Sequence, residues 1–259
     1  MNSLKSKLDF RALKGTPFLA VSKLERQLAC GLIGSICRFF VKNCTNLKVH
    51  QLEILNQAIA SDRPLITISN HDSTLDDPLT FGILKYSMFW NVDRMRWTIV
   101  AQEICFKNRF LNWFFSAGQA IPILRGNGIN QPGMDQAIHL LNQNQWVHLY
   151  PEGKINFEPE KELVPFRWGV GRLIMESQKP PIIIPFYHRG MQSIFNPLTY
   201  HQTGLKFGKR LDILIGNQLD FNDINFKEFD SSHTRAIITS RIQKEMNRLK
   251  TIMDQMHLQ

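Results

Sequence analysis

The sequence predicts an α/β fold with a mostly parallel central sheet flanked by helices. Three observations predict it. Short apolar runs recur along the chain, each of the length of a buried strand. Between them lie segments whose apolar residues step by threes and fours, as one face of a helix does. The two kinds of segment alternate, and strands alternating with helices assemble into a largely parallel sheet with its functional loops beyond the strand ends. At 259 residues and 30.1 kDa the chain is long enough to bury one full core.

Residues 1–44 read as a basic segment followed by a membrane-interface helix. Lys5, Lys7, Arg11, Lys14 and Lys23 stand against a single acid, Asp9, a faint mitochondrial targeting pattern that is poor in Arg and lacks a cleavage signal. The apolar stretch from Gln27 to Val41 falls short of the ~20 residues that span a bilayer. With Arg26 before it, Arg38 inside it and Lys42 after it, it fits a helix lying in the membrane interface, and also an ordinary packed helix. Cys30, Cys37 and Cys44 recur at seven-residue steps, as small apolar residues along one helix side. No C-x-x-C occurs and the four cysteines form no disulfide framework.

Residues 45–230 carry the alternation. Leu47-Lys48-Val49, Leu65 to Ser69, Trp97 to Ala101, Ala120 to Leu124, Trp146 to Tyr150 and Ile182 to Phe186 read as strands. Leu52 to Ala60, Pro78 to Tyr86, Gly133 to Asn142 and Gly169 to Glu176 read as helices, the second with Asp77 as N-cap and Pro78 at its first position. The aromatic-rich stretch from Ile104 to Phe115, with Lys107 and Arg109, fits either a lipid-facing segment or a core helix. Residues 231–259 read as an amphipathic helix whose apolar face, Ile238, Ile242, Met246, Leu249, Met253 and Met256, fits first a docking helix and second a membrane-surface helix.

Lys and Arg number 31 against 22 acids, giving a net charge of +9 and a pI near 9.5. That balance favours an anionic partner, either nucleic acid or a membrane surface. There is no zinc-finger spacing and no compact basic run, and the aromatics keep company with aliphatics, as in Phe89-Trp90 and Trp113-Phe114-Phe115. Lipid, and no nucleic acid, is the expected partner.

Four stretches sit at strand ends. In Asn70-His71-Asp72-Ser73-Thr74-Leu75-Asp76, His71 follows a strand and Asp76 lies five residues on. On one continuous helix that spacing would part the two, but a turn can fold the carboxylate back onto the imidazole. A carboxylate on one ring nitrogen fixes the tautomer and leaves the other nitrogen free to take a proton from a hydroxyl. Alone, the pair also fits a solvated loop histidine. No further His or Cys sits nearby at metal-ligand spacing, so no metal is expected. Arg125, directly after the strand Ile121 to Leu124, is suited to grip a phosphate by a bidentate fork. In Tyr150-Pro151-Glu152-Gly153-Lys154, the Glu-Gly turn lets backbone approach a ligand, Glu152 can accept from a polyol and Lys154 suits a phosphate, although such turns are common. The strand Ile182 to Phe186, bracketed by Pro180-Pro181 and Pro185, fits the wall of an acyl groove or plain core.

The order of these four stretches, across residues 70 to 190, resembles the glycerolipid acyltransferase family. Within it, Ser69-Asn70-His71 with Leu75-Asp76-Asp77-Pro78, Asn91 to Trp97, Trp146 to Asn156 and Phe166 to Ile174 are similar to a branch of transacylases. The resemblance implies a coenzyme-A-independent transacylase that remodels cardiolipin, with His71 and Asp76 catalytic and Arg125, Glu152, Gly153 and Lys154 binding substrate. It implies phosphatidylcholine, cardiolipin and monolysocardiolipin as lipids, no cofactor, and a peripheral or monotopic place on mitochondrial membranes facing the intermembrane space. Lys154 stands where relatives that use acyl-CoA often carry Thr or Ser. Tyr150 replaces the usual Phe and the loop after Arg125 is short, departures expected to leave the His-Asp pair untouched. The alternatives are an acyl-CoA-dependent lysophospholipid acyltransferase, a hydrolase and a non-catalytic membrane-binding protein. The residues carry no signal for an oligomeric state.

Overall fold

A computed structural model of the chain describes residues 10, 13–158, 162–196, 198–199, 204–224 and 231–257. Most of the basic N-terminal segment, including Lys5, Lys7 and Arg11, and the expected boundary at residue 230 lie outside the described residues. The strands are β1 (Asn46–His50), β2 (Leu65–Ser69), β3 (Trp97–Ala101), β4 (Ala120–Ile123), β5 (Trp146–Leu149), β6 (Ile182–Arg189) and β7 (Arg210–Ile215). They form one sheet in the order β1-β7-β6-β2-β5-β3-β4. From β6 to β4 every pairing is parallel, while β7 runs antiparallel to β6 and β1 follows β7.

β2 sits in the middle, paired on both sides, and all five of its residues are buried. Its side chains alternate between two cores, as the period of a strand requires. Ile66 and Ile68 join one core with Val147 and Leu149, covered by α7 (Pro132–Asn142), α8 (Gly169–Glu176) and the C-terminal α9 (Ser231–His257). Leu65 joins the other, covered by α1 (Lys23–Asn43), α2 (Leu52–Ala60) and α3 (Asp76–Thr80). On α9 the residues Ile238, Ile242, Met246, Leu249 and Met253 are buried, so this is a docking helix.

α1 packs one side against the core and leaves the other exposed. Gly31 and Gly34 let the rings of Trp90 and Phe89 lie against its backbone, where a Cβ would meet them at 2.5 and 2.4 Å. Its other side exposes Leu24, Leu28, Leu32, Ile36 and Phe39, an uninterrupted apolar stripe. No helix among the described residues is long and apolar enough to cross a membrane. Cys30 is buried and Cys37 packs at the core edge, as expected of small apolar residues.

The helix expected over Pro78 to Tyr86 is broken. α3 ends at Thr80, a 3-10 turn covers Phe81–Ile83, and α4 (Tyr86–Trp90) starts afresh. Arg38 of α1 causes the break. Its guanidinium takes the carbonyls of Gly82 at 3.4 Å, Ile83 at 3.0 Å and Leu84, which a continuing helix would use internally. α3 also begins at Asp76 with Leu75 as N-cap, not at Pro78. Asp77 is not a cap because its carboxylate is claimed elsewhere: Arg96, just before β3, pairs with it and the Thr98 hydroxyl of β3 donates to Oδ1 at 2.7 Å. The aromatic stretch splits into α5 (Gln102–Cys105) and α6 (Arg109–Ala117), with Asn108 capping the second through the Leu111 N–H. The antiparallel β7 has no counterpart in the sequence reading.

Candidate active site

The site lies where β2 ends. Beyond Ser69 the side-chain amide of Asn70 continues the pairing with β6. Its Nδ2 donates to the His188 carbonyl and its Oδ1 accepts the His188 N–H, each at 2.9 Å. The chain then turns, and His71 emerges with its side chain about a fifth exposed. Asp76, fully buried, folds back as the spacing anticipated. Its Oδ2 lies 2.8 Å from His71 Nδ1 and accepts the backbone N–H groups of Asp72 at 2.6 Å and Ser73 at 2.9 Å. An acceptor-only carboxylate on Nδ1 places the proton there and leaves Nε2 as the base nitrogen.

The backbone that carries His71 is pinned on both sides. Glu152, buried at the β5 end, accepts the His71 N–H on Oε1 at 3.0 Å and the Val164 N–H on Oε2 at 2.9 Å. The His71 carbonyl accepts the Asn156 N–H at 2.6 Å. Glu152 was expected to meet a polyol. Both its oxygens are instead committed to main chain and it has no surface to offer a ligand, so it acts by holding the His71 turn. Burial raises its pKa, against the two backbone hydrogen bonds that lower it.

Tyr150 was expected to leave the pair untouched. Its ring in fact stacks on the His71 imidazole, with centroids 4.2 Å apart and planes at 22°. It also meets His148 edge-on at 4.6 Å. His148 is no second base. The Trp146 indole donates to the Thr67 hydroxyl at 2.8 Å, and that hydroxyl contacts His148 Nδ1 at 2.9 Å. Burial pushes its pKa down to about 3, so it stays neutral.

Gly153 takes φ +68°, a conformation that suits Gly, and exposes the turn beside His71. Lys154 follows it, exposed, and the Arg167 side chain lies across it, 3.3 Å from where a Cβ of residue 153 would stand. Two cations, Lys154 and Arg167, therefore lie at the Gly153 turn. Arg167 was not among the expected contacts. Its signal in the sequence was weak, a lone Arg before Trp168 and fourteen residues past Gly153. Arg125 stands farther along the sheet. It follows β4, three strand spacings from β2 or about 14 Å, and it pairs with Glu103.

A family model described as Acyltransferase matches residues 46–189. Tafazzin from Drosophila melanogaster is 32% identical over 238 residues, covering 89% of this chain and 62% of that protein. Taffazin from Dictyostelium discoideum is 36% identical over 208 residues, covering 78% of this chain and 72% of that protein. An N-acylphosphatidylethanolamine synthase from Arabidopsis thaliana is 34% identical over 206 residues, covering 77% and 72%. Among solved structures, the 1-acyl-sn-glycerophosphate acyltransferase PlsC from Thermotoga maritima superposes with a TM-score of 0.56 at 16% identity, over 92% of this chain and 87% of that one. At that identity the likeness concerns the fold.

Proposed function

Because the chain belongs to the acyltransferase family, and within it to the tafazzins, we propose that it moves a fatty acyl chain from a phospholipid to a lysophospholipid without a thioester carrier. The observation that carries this reading is the buried Asp76 carboxylate on Nδ1 of a partly exposed His71. Nε2 of His71 takes the proton of the free glycerol hydroxyl of a lysolipid such as monolysocardiolipin. The oxygen attacks the ester carbonyl of a donor such as phosphatidylcholine, and the tetrahedral intermediate expels the donor's glycerol oxygen. That oxygen takes the proton back from His71, and Asp76 compensates the imidazolium in between. Proton transfer of this kind is worth ~10²–10⁴ in rate, and alignment of the two lipids supplies a further share.

Lys154 and Arg167 hold the headgroup phosphate in this reading, supported by their position at the Gly153 turn that follows Glu152. Arg125, farther along the sheet and engaged with Glu103, contributes less. The lipid surface is met by the α1 stripe and by Phe110 and Trp113 of α6, which the Trp113 indole ties to Glu25 of α1 at 2.8 Å. Such a face, on a protein of net charge +9, fits an anionic bilayer. The resemblance to mitochondrial transacylases makes a mitochondrial membrane facing the intermembrane space the proposed site of action.

The test is a purified protein on vesicles of acyl-labelled phosphatidylcholine and monolysocardiolipin, with no coenzyme A. Label entering cardiolipin supports the reading. Transfer only on adding acyl-CoA means a thioester-dependent enzyme, and free fatty acid as the main product means a hydrolase. The Arabidopsis relative supports a second reading, N-acylation of an ethanolamine headgroup. An alkali-stable, amide-linked product distinguishes it.

A further inference from the structure

Behind the His71–Asp76 pair lies a second imidazole, that of His188 near the end of β6, with no exposed surface. Its Nε2 is 3.0 Å from the Asn70 carbonyl, which also accepts the Ser69 hydroxyl at 3.1 Å. A carbonyl only accepts, so Nε2 carries the hydrogen. The same nitrogen is 3.7 Å from Asp76 Oδ2. Nδ1 is 3.8 Å from Asp72 Oδ2, too long for a hydrogen bond, as befits a bare ring nitrogen. Burial lowers the His188 pKa, against the nearby Asp76 charge and the Asn70 carbonyl, which raise it. The imidazole is therefore a neutral donor whose acceptor is the carbonyl of the residue before His71. The Asn70–His71 peptide is held at its two ends by buried side chains, His188 on the carbonyl and Glu152 on the N–H.

We propose that His188 is a positioning residue for acyl transfer, its Nε2–H fixing the peptide that aims His71 at Asp76 and at the reacting hydroxyl. Clamping one peptide from both sides sets the direction in which the His71 side chain leaves the backbone. A displacement of order 1 Å at the base can cost about 10²-fold. Substrate does not touch His188, so its loss acts on the chemical step and leaves lipid binding alone.

The proposal rests on His71 being the base, and the experiment separates the two claims. His188→Leu removes the donor at similar volume, and His188→Gln restores an N–H that never titrates. For H188L we expect kcat about 10- to 100-fold down with KM within about 2-fold, and loss of the downfield proton resonance of His71 Nδ1–H. For H188Q we expect kcat within about 5-fold of the parent and the resonance retained. H188L with the parent's kcat and an unchanged resonance overturns the proposal. So does a folded H188Q that is as impaired as H188L. Should H188L fail to fold, H188Q decides alone, by the same kcat and resonance criteria. If His71→Ala keeps its activity while H188L still loses the resonance, the positional claim stands and the reading of His71 as base falls.

Discussion

Oδ2 of Asp76 gathers Nδ1 of His71 and two backbone N–H groups onto one buried oxygen, which makes the carboxylate the anchor of the whole turn. Asp76→Asn keeps the shape and removes the charge that balances an imidazolium. The expected loss in kcat is ~10²–10⁴, measured as label exchange between vesicle lipids, with vesicle binding unchanged.

Burial of a neutral His148 adds to acid sensitivity. Its folded pKa of about 3 lies below the ordinary value of 6.5, so between those limits the unfolded chain binds the extra proton. Its contribution is fully present above pH 6.5 and is lost as pH falls toward about 3. The slope from this one group approaches about 1.4 kcal/mol per pH unit. Urea unfolding from pH 4 to 7 checks it. His148→Gln should flatten the acid limb of the stability curve, and an unchanged slope would show that the acid sensitivity arises elsewhere.

The arrangement at β2 was open to sequence reasoning because it is local. A buried strand, a five-residue spacing and a following helix confine His71 and Asp76 to one turn. The parallel core was legible for a similar reason, since each strand carries its own apolar run. What stayed hidden depends on contacts across the chain. Arg38 breaking a helix forty-odd residues on leaves no periodicity, and neither does Arg96 drawing Asp77 out of a cap. Glu152 looks like a ligand residue in a Pro-Glu-Gly turn, and only the fold reveals that both its oxygens are taken by main chain. His188 closes an apolar strand and says nothing of its role until β6 lies beside β2.

The cations divide by position. Arg125→Ala should change the KM for phospholipid by no more than about 3-fold, because Arg125 is exposed, paired with Glu103 and three strands along the sheet from β2. Removing both Lys154 and Arg167 should raise KM by about 10-fold or more, as expected for charge-assisted bonds to a phosphate. Initial rates against lipid mole fraction separate the cases, and the reverse order would move the headgroup site to the β4 edge.

The apolar stripe of α1 is open to direct removal. Leu32→Ser with Ile36→Ser strips two exposed side chains, each worth about 1.5–3 kcal/mol when buried in lipid. Flotation with cardiolipin-containing vesicles should show binding at least about 10-fold weaker. The unfolding free energy should stay within about 0.5 kcal/mol of the parent. Undiminished flotation would place the membrane face elsewhere.

His71 itself is the most direct point of attack. Parent and His71→Ala proteins, matched for folding and for the fraction bound to the same vesicles, are compared for transfer of a labelled acyl chain between phospholipid and lysolipid without coenzyme A. Transfer by His71→Ala reduced ~10²–10⁴-fold is the predicted result. Transfer within a few-fold of the parent would contradict it.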